Sequence, residues 1–303
     1  MRKTGNAVPA QKYKKPITQR VGFWAFLFLL PTILGFIVFV IWPVVMSTIY
    51  SFTNYDGVRA YQFVGFKNYT KLLTNKEFLG SLWNTLYFAV GTVPLGCLLA
   101  IFVAVVLNQK IHLKNFYRTC FFMPTVVSMI AVSVVWQLVF NANNGLANSL
   151  LGHLGIPPQK WLGSVTQAMP TVIFITVWKG LGTNVVIFLA GLTGVNSALF
   201  EAAEIDGAGA WDKFWHVTIP SLRPTITFVL INNSIGSFQA FDQIYMLTGG
   251  GPAKATQTIS YLIYKNAFEY FKQGYASAMA YLLFIVIMII SLAQLRISSN
   301  AKN

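Results

Sequence analysis

Long apolar runs dominate this chain, at residues 23–50, 85–107, 120–140, 169–192, 224–247 and 276–295. Each is about 20 residues or longer, the length at which an α-helix crosses the hydrocarbon core of a bilayer. Composition agrees, since 55% of the 303 residues are hydrophobic and 10% are charged, too few charges to cover a soluble domain of that size. The sequence therefore predicts an all-α integral membrane protein with six spanning helices. The first run is longer than the apolar part of a secretory signal and lacks a small-residue cleavage site before Tyr50, so it reads as a retained helix. Pro31 and Pro43 predict kinks within it, because proline has no amide to donate.

The tail 1–20 carries Arg2, Lys3, Lys12, Lys14, Lys15 and Arg20 and no acid. Under the positive-inside bias the N-terminus is then cytoplasmic, and six crossings return the C-terminus to the same side. Lys110, Lys114 and Arg118 fall in the next cytoplasmic loop, while the outer loop 141–168 holds only Lys160. Loop 51–84 runs against the bias, placing Arg59, Lys67, Lys71 and Lys76 outside. No internal repeat or Gly/Ser-rich linker divides the chain, so it parses as a basic tail, 1–20, and one membrane domain, 21–303. The formal charge of +14 does not point to nucleic acid, because the lysines and arginines are spread among loops.

Reactive chemistry is sparse. No G-x-x-x-x-G-K-[ST] phosphate cradle is present, so the chain is not expected to hydrolyse ATP. His112, His153 and His216 lie in separate loops without a second metal ligand at helical spacing. Cys97 and Cys120 lack C-x-x-C spacing and read as small apolar packing residues. Neither an enzyme nor a metal site nor a chain-borne cofactor is expected.

One loop breaks the charge pattern. Four of the eight acidic residues, Glu201, Glu204, Asp206 and Asp212, fall together on the side where lysine and arginine usually collect. Ser197 is placed to cap a helix over 198–206, Gly207 to end it in a left-handed turn, and a second helical stretch over 211–216 leads to Pro220. Ala202, Ala203 and Gly207 remove bulk, so this helix can seat in a partner's groove while Glu201 and Glu204 reach basic groups. Trp211, Phe214 and Trp215 give the second stretch an apolar face. A hairpin lying on the bilayer is the competing reading, but four acids facing an anionic leaflet favour a protein partner.

The spacing of that loop is also distinctive. Glu201-Ala202-Ala203, three residues, Gly207, nine residues, then Val217-Thr218-Ile219-Pro220 resembles the EAA-x3-G-x9-I-x-L-P loop of the binding-protein-dependent permeases of ATP-binding cassette importers. Val217 and Ile219 are conservative departures from its Ile and Leu. The fuller string from Glu201 to Ala208, with Phe214-Trp215, resembles the carbohydrate branch and the first permease of a maltose- or glycerol-phosphate-type pair. Phe63-Val64-Gly65, Asn68-Tyr69, Phe116-Tyr117-Arg118, Pro124, Asp242 and Gly250-Gly251-Pro252 resemble the same branch elsewhere.

The resemblance implies a type I importer permease fold with a coupling loop over about 197–220. It implies that residues 198–207 dock into an ATPase with Glu201 on a basic residue, and that Ala202, Ala203, Glu204, Asp206, Gly207 and Pro220 belong to the coupling element. It further implies a second permease as heterodimer partner, two ATPase subunits carrying ATP and magnesium, an extracytoplasmic solute-binding protein, and the cytoplasmic membrane of a bacterium or archaeon. Translocation of a sugar or related polar solute is the function that follows.

For the solute path, the expected fifth helix carries Asn232, Asn233, Gly236, Ser237, Gln239 and Gln243, spread at about 100° per residue over half its circumference. Polar groups in lipid are costly unless paired or wetted, so the stripe faces either a solute path or neighbouring helices. Lys179 sits near the middle of the fourth helix, with Asp242 as one candidate partner. Trp136 and Trp178 either stack on sugar rings or pack helices. The 248–252 turn with Tyr261, Tyr264, Phe268 and Phe271 either docks a binding protein or forms an interfacial belt. The alternative from another class is an ion-coupled secondary transporter with Lys179 and Asp242 as relay charges.

Overall fold

A computed structural model describes residues 21–109 and 111–300; Lys110 and the basic tail 1–20 lie outside the described residues. The chain divides into two compact units, one ending at Ile49 and the other starting at Tyr50.

The first unit holds α1 (Val21–Phe36), a π-turn over Ile37–Ile41 and most of α2 (Trp42–Ser51). Helical hydrogen bonding runs through Pro31, whereas the π-turn sits just before Pro43, with the Trp42 amide bonded to the Ile37 carbonyl. Proline cannot donate to the fourth preceding carbonyl, and widening the turn by one residue absorbs that defect.

In the second unit α3 (Lys67–Thr74) leads into α4 (Lys76–Asn108). Asn75 caps α4, its side-chain oxygen accepting from the Glu77 and Phe78 amides at 2.8 and 3.2 Å. The expected third span is instead two helices, α5 (Lys114–Val126) and α6 (Met129–Val139), bent by 99°. The cause is local. Val127 is extended and Ser128 is a helix N-cap, accepting from the Ala131 amide. Next come α7 (Leu146–His153) and α8 (Ala168–Thr193), then α9 (Ser197–Ile205), α10 (Ala210–Lys213) and a π-turn over Phe214–Thr218 that runs into α11 (Ile219–Phe238).

The fifth run, expected as one helix over 224–247, also breaks. The helix stops at Gln239–Phe241, and α12 (Asp242–Leu247) starts anew. The carbonyls exposed by the break are taken by hydroxyls: Thr258 donates to Ala240 at 2.8 Å and Ser260 to Phe238 at 3.2 Å. Non-helical backbone at membrane depth requires such substitutes for water. α13 (Ile259–Tyr264), a π-turn over Lys265–Glu269 and α14 (Gln273–Asn300) complete the chain.

Among the described residues, four helices are long and apolar enough to cross a bilayer: Trp24–Ser51, Lys76–Asn108, Ala168–Thr193 and Gln273–Ser298. The bent α5–α6 pair supplies a fifth if counted as one span. The six expected runs are thus four apolar helices, one bent pair and the more polar α11. Packing of the second unit centres on three apolar clusters. One surrounds Phe88, Val172, Ile175 and Ile244; another joins Ala100, Ala104, Phe188, Leu222 and Val229; the third joins Leu72, Ile259, Ala278 and Met279. Cys97 is buried in the second, while Cys120 is exposed, so only the first behaves as the packing residue the sequence predicts.

Candidate functional site

The acidic loop folds as a helical hairpin. Asn196, not Ser197, caps α9, its side chain accepting from the Ala198 amide at 3.0 Å. Asparagine one residue earlier satisfies an amide that Ser197, itself the first helical residue, cannot reach. α9 ends where Gly207 takes φ +77°, and the Ala208 amide closes the turn on the Ala203 carbonyl at 2.8 Å. This six-to-one bond is the Schellman closure that favours glycine.

The second arm is shorter as an α-helix than expected, because the helix widens to a π-turn over Phe214–Thr218 in which the Ile219 amide reaches the Phe214 carbonyl. Pro220 follows, repeating the arrangement before Pro43. Trp211, Phe214 and Trp215 form a ring cluster with centroids 5.2 to 5.9 Å apart.

Charge placement within the hairpin adds a contact that the sequence did not indicate. Glu204 is taken at home: the Lys213 ammonium donates to its Oε1 at 2.7 Å, tying α9 to α10. Asp212 likewise has a partner within the hairpin, accepting from the Gly209 amide at 3.2 Å. Glu201 and Asp206 remain exposed, beside Leu199 and the 86% exposed Ile205. All four carboxylates are exposed, and the two not engaged within the hairpin, Glu201 and Asp206, lie near these apolar side chains. Leu199 and Ile205 were overlooked in the sequence, although apolar residues inside an acidic loop are the signal for them.

The Lys213 ammonium holds the Glu204 carboxyl below its ordinary value, by hydrogen bonding first and charge second. A group depressed on folding contributes stability that is full above its ordinary value and is lost as pH falls through the depressed one. A ¹³C titration of the Glu204 carboxyl is therefore expected to give a midpoint below that of ordinary glutamate, and Lys213→Gln to bring it back up; an unchanged midpoint in that variant would refute the strap.

α4, α8 and α11, with Gln243 of α12, line an open cavity of about 210 Å³. Its polar lining is neutral: Thr92, Thr176, Asn184, Asn232, Asn233, Ser237 and Gln243. Ser237 also bonds Thr92 across to α4 at 2.9 Å, so one residue serves both readings of the stripe. Gln239 is exposed and lines no part of the cavity, because the break after Phe238 changes the register on which it was placed. Thr92, Thr176 and Asn184 were missed; their signal is a hydroxyl or amide inside an otherwise apolar run.

A second cavity of about 320 Å³ shares Thr176, Gly180 and Gln243 with the first and is lined by both Lys179 and Asp242. No ion pair joins Lys179 to Asp242, so the two face one space without pairing with each other. Trp136 lines neither cavity. It stacks on Phe140 at 5.1 Å and meets Trp178 and Phe174 edge-on at 5.2 and 5.5 Å, so its ring is engaged by packing. Tyr261 is buried against Phe241, while Phe268 and Phe271 are exposed.

Residues 93–301, more than two thirds of the chain, match the family model described as "Binding-protein-dependent transport system inner membrane component". The chain is 37% identical to the multiple sugar-binding transport system permease protein MsmF of Streptococcus mutans over 92% of its length and 96% of that protein's. Identity is 35% with the arabinooligosaccharides transport system permease protein AraP of Bacillus subtilis, covering 99% and 98%, and 33% with the trehalose/maltose transport system permease protein MalF of Thermococcus litoralis, covering 90% and 92%. In fold it is similar to a chain of a bacterial alginate transporter crystallised with its pentasaccharide-bound periplasmic protein, at TM-score 0.82 and 23% identity over 92% of this chain and 95% of that one. With the hairpin spacing and the helical membrane architecture, these matches establish that the chain belongs to the binding-protein-dependent transport system inner membrane components, the permease subunits of ATP-binding cassette importers.

Proposed function

We propose that this permease translocates a neutral sugar or small saccharide, received from an extracytoplasmic binding protein and moved as ATP and magnesium turn over on two separate ATPase subunits. A second permease completes the path as heterodimer partner. The assembly sits in the cytoplasmic membrane of a bacterium or archaeon with both termini of this chain inside. Residues 198–207 are the coupling helix, with Glu201 as the carboxylate that meets a basic ATPase residue.

The cavity between α4, α8 and α11 carries the solute reading. Amides and hydroxyls at membrane depth suit a polyhydroxylated solute, which can exchange hydrogen bonds with water for bonds with Asn184, Asn232, Asn233 and Gln243. The sugar-transport names of the relatives support the same class.

Reconstitution with the partner permease, ATPase and binding protein, followed by ATP hydrolysis across a panel of sugars, tests this. A neutral saccharide is expected to stimulate. Asn184→Leu and Asn232→Leu are each expected to cut uptake on the order of tenfold or more, since a polar solute left without one partner loses about 1–3 kcal/mol. Stimulation by charged solutes alone, or unchanged uptake in both variants, would overturn the assignment.

A further inference from the structure

One row of side chains on α4 grips the segment that follows α12. Glu77, Ser81, Asn84 and Thr85 recur at helical spacing, and all four bond residues between 254 and 259. The Glu77 carboxylate accepts from the Lys254 ammonium at 2.8 Å and from the Gln257 side-chain amide at 3.1 Å. Gln257 also donates to the Ser81 hydroxyl at 3.1 Å, while Asn84 donates to the Lys254 and Gln257 carbonyls at 2.9 and 3.1 Å. The Thr85 hydroxyl accepts from the Ile259 amide at 2.9 Å. Under this clamp Thr256, Gln257 and Thr258 are buried.

The clamped segment is strained. Ala253 and Lys254 take φ +46° and +65°, left-handed values that residues with a Cβ keep only where their surroundings fix them. Directly before them, Thr248, Gly249, Gly251 and Pro252 form one wall of an open recess of about 590 Å³. That wall is tied to the clamp, since the Thr256 hydroxyl meets the Thr248 hydroxyl at 2.7 Å and donates to the Gly251 carbonyl at 2.8 Å. Asn141 and Lys160 also line the recess, so it suits a polar protein loop better than lipid.

α4 itself gives the location. Asn108 and Gln109, at its far end, share a cavity with Phe200 and Lys213 of the acidic hairpin. Glu77 lies about 45 Å from there along the helix. Clamp and recess are therefore at the end of the second unit remote from the hairpin, the end from which a binding protein delivers its solute.

We propose that Glu77 is a positioning residue: through Lys254 and Gln257 it holds the 248–252 wall in the shape that receives the extracytoplasmic binding protein. This rests on the delivery of solute by such a protein under the proposed function.

Two readouts test it, namely ATP hydrolysis against binding-protein concentration in the reconstituted transporter, and amide hydrogen exchange over residues 250–256 without the binding protein. Glu77→Gln is expected to raise the half-saturating concentration about threefold to tenfold, the size of one partly exposed charge-assisted contact, with basal and maximal rates kept. Exchange of the Thr256 amide, which bonds the Gly250 carbonyl at 3.3 Å, is expected to quicken. Glu77→Lys is expected to do the same, and Glu77→Lys/Lys254→Glu to recover both, because the reversed pair closes again and Gln257 can turn its amide to accept. Should Glu77→Gln not assemble, Lys254→Met, at a side chain 62% exposed, is expected to give the same shift.

Unchanged half-saturation in Glu77→Gln would overturn the proposal, whether exchange quickens or not. A lowered maximal rate at unchanged half-saturation would do so by assigning Glu77 to stability alone. A shift in Lys254→Met with none in Glu77→Gln would do so by making Lys254 a direct contact. A wild type that no binding protein stimulates would overturn the delivery reading first, and the proposal with it.

Discussion

Gly207→Val is expected to abolish solute-stimulated ATP hydrolysis in the assembled transporter while the chain still inserts and assembles. The reason is conformational. Gly207 has φ +77°, and a Cβ placed there meets nothing within 4 Å, so space is available but the backbone angle is not. A β-branched residue in the left-handed region costs about 1–3 kcal/mol. Relief comes from unwinding the closure of Ala208 on Ala203, which aims the end of α9 and the exposed pair Glu201 and Asp206. A local cost of this size scarcely affects a membrane protein's insertion, yet it alters the surface proposed to meet the ATPase. Gly207→Asn separates the possible causes, because asparagine tolerates the left-handed region. Retained stimulation in Gly207→Asn with loss in Gly207→Val identifies backbone geometry; loss in both identifies a partner groove with no room for a side chain. Normal stimulation in Gly207→Val would refute the coupling assignment. Glu201→Lys, which leaves the backbone alone, is expected to uncouple through charge.

The second large effect is on folding. Gly182→Ala is expected to lower thermal stability in detergent and the yield of folded chain, since its Cβ would overlap the Phe121 carbonyl oxygen and press on the Phe122 Cα at 2.8 Å. These are backbone atoms of α5, so no rotamer change relieves them and α5 and α8 must separate. Overpacking of this kind costs about 1–3 kcal/mol, and Gly182→Leu is expected to cost more. The same crossing is tied by the Thr125 hydroxyl donating to the Lys179 carbonyl at 3.2 Å, so separation also disturbs the wall of the Lys179 cavity. Gly152→Ala in α7 is the control, with open space around its Cβ, and is expected to be neutral or mildly stabilising. Equal behaviour of the two alanine variants would contradict the close crossing.

The two sites differ in how legible they are in the sequence. The hairpin is local: its turn, cap and aromatic cluster span fewer than about 25 residues, and Gly207 signals its own conformation. Even there the Lys213 contact of Glu204 was not legible, because Lys213 is nine positions away and meets it only once the chain reverses. The cavity is not local. Asn232 and Asn233 announce themselves as polar residues in an apolar run, but Thr92 and Asn184 join them only through the packing of α4 and α8 against α11. Helical period placed Gln239 and Gln243 on one face; the break after Phe238 left the first exposed and delivered the second to both cavities.

Hydropathy and charge placement by themselves determined a helical membrane protein with an acidic hairpin, and the spacing from Glu201 to Pro220 carried its resemblance to the importer permeases, because these depend on sequence lengths and on residues close together along the chain. Tertiary structure alone decided which polar groups share a cavity, that Glu204 pairs with Lys213, that Trp136 packs against other rings, and where the spans bend. Those outcomes depend on which distant segments supply the hydrogen bonds that lipid cannot, as Thr258 does for Ala240, and a chain read in one dimension does not contain that pairing.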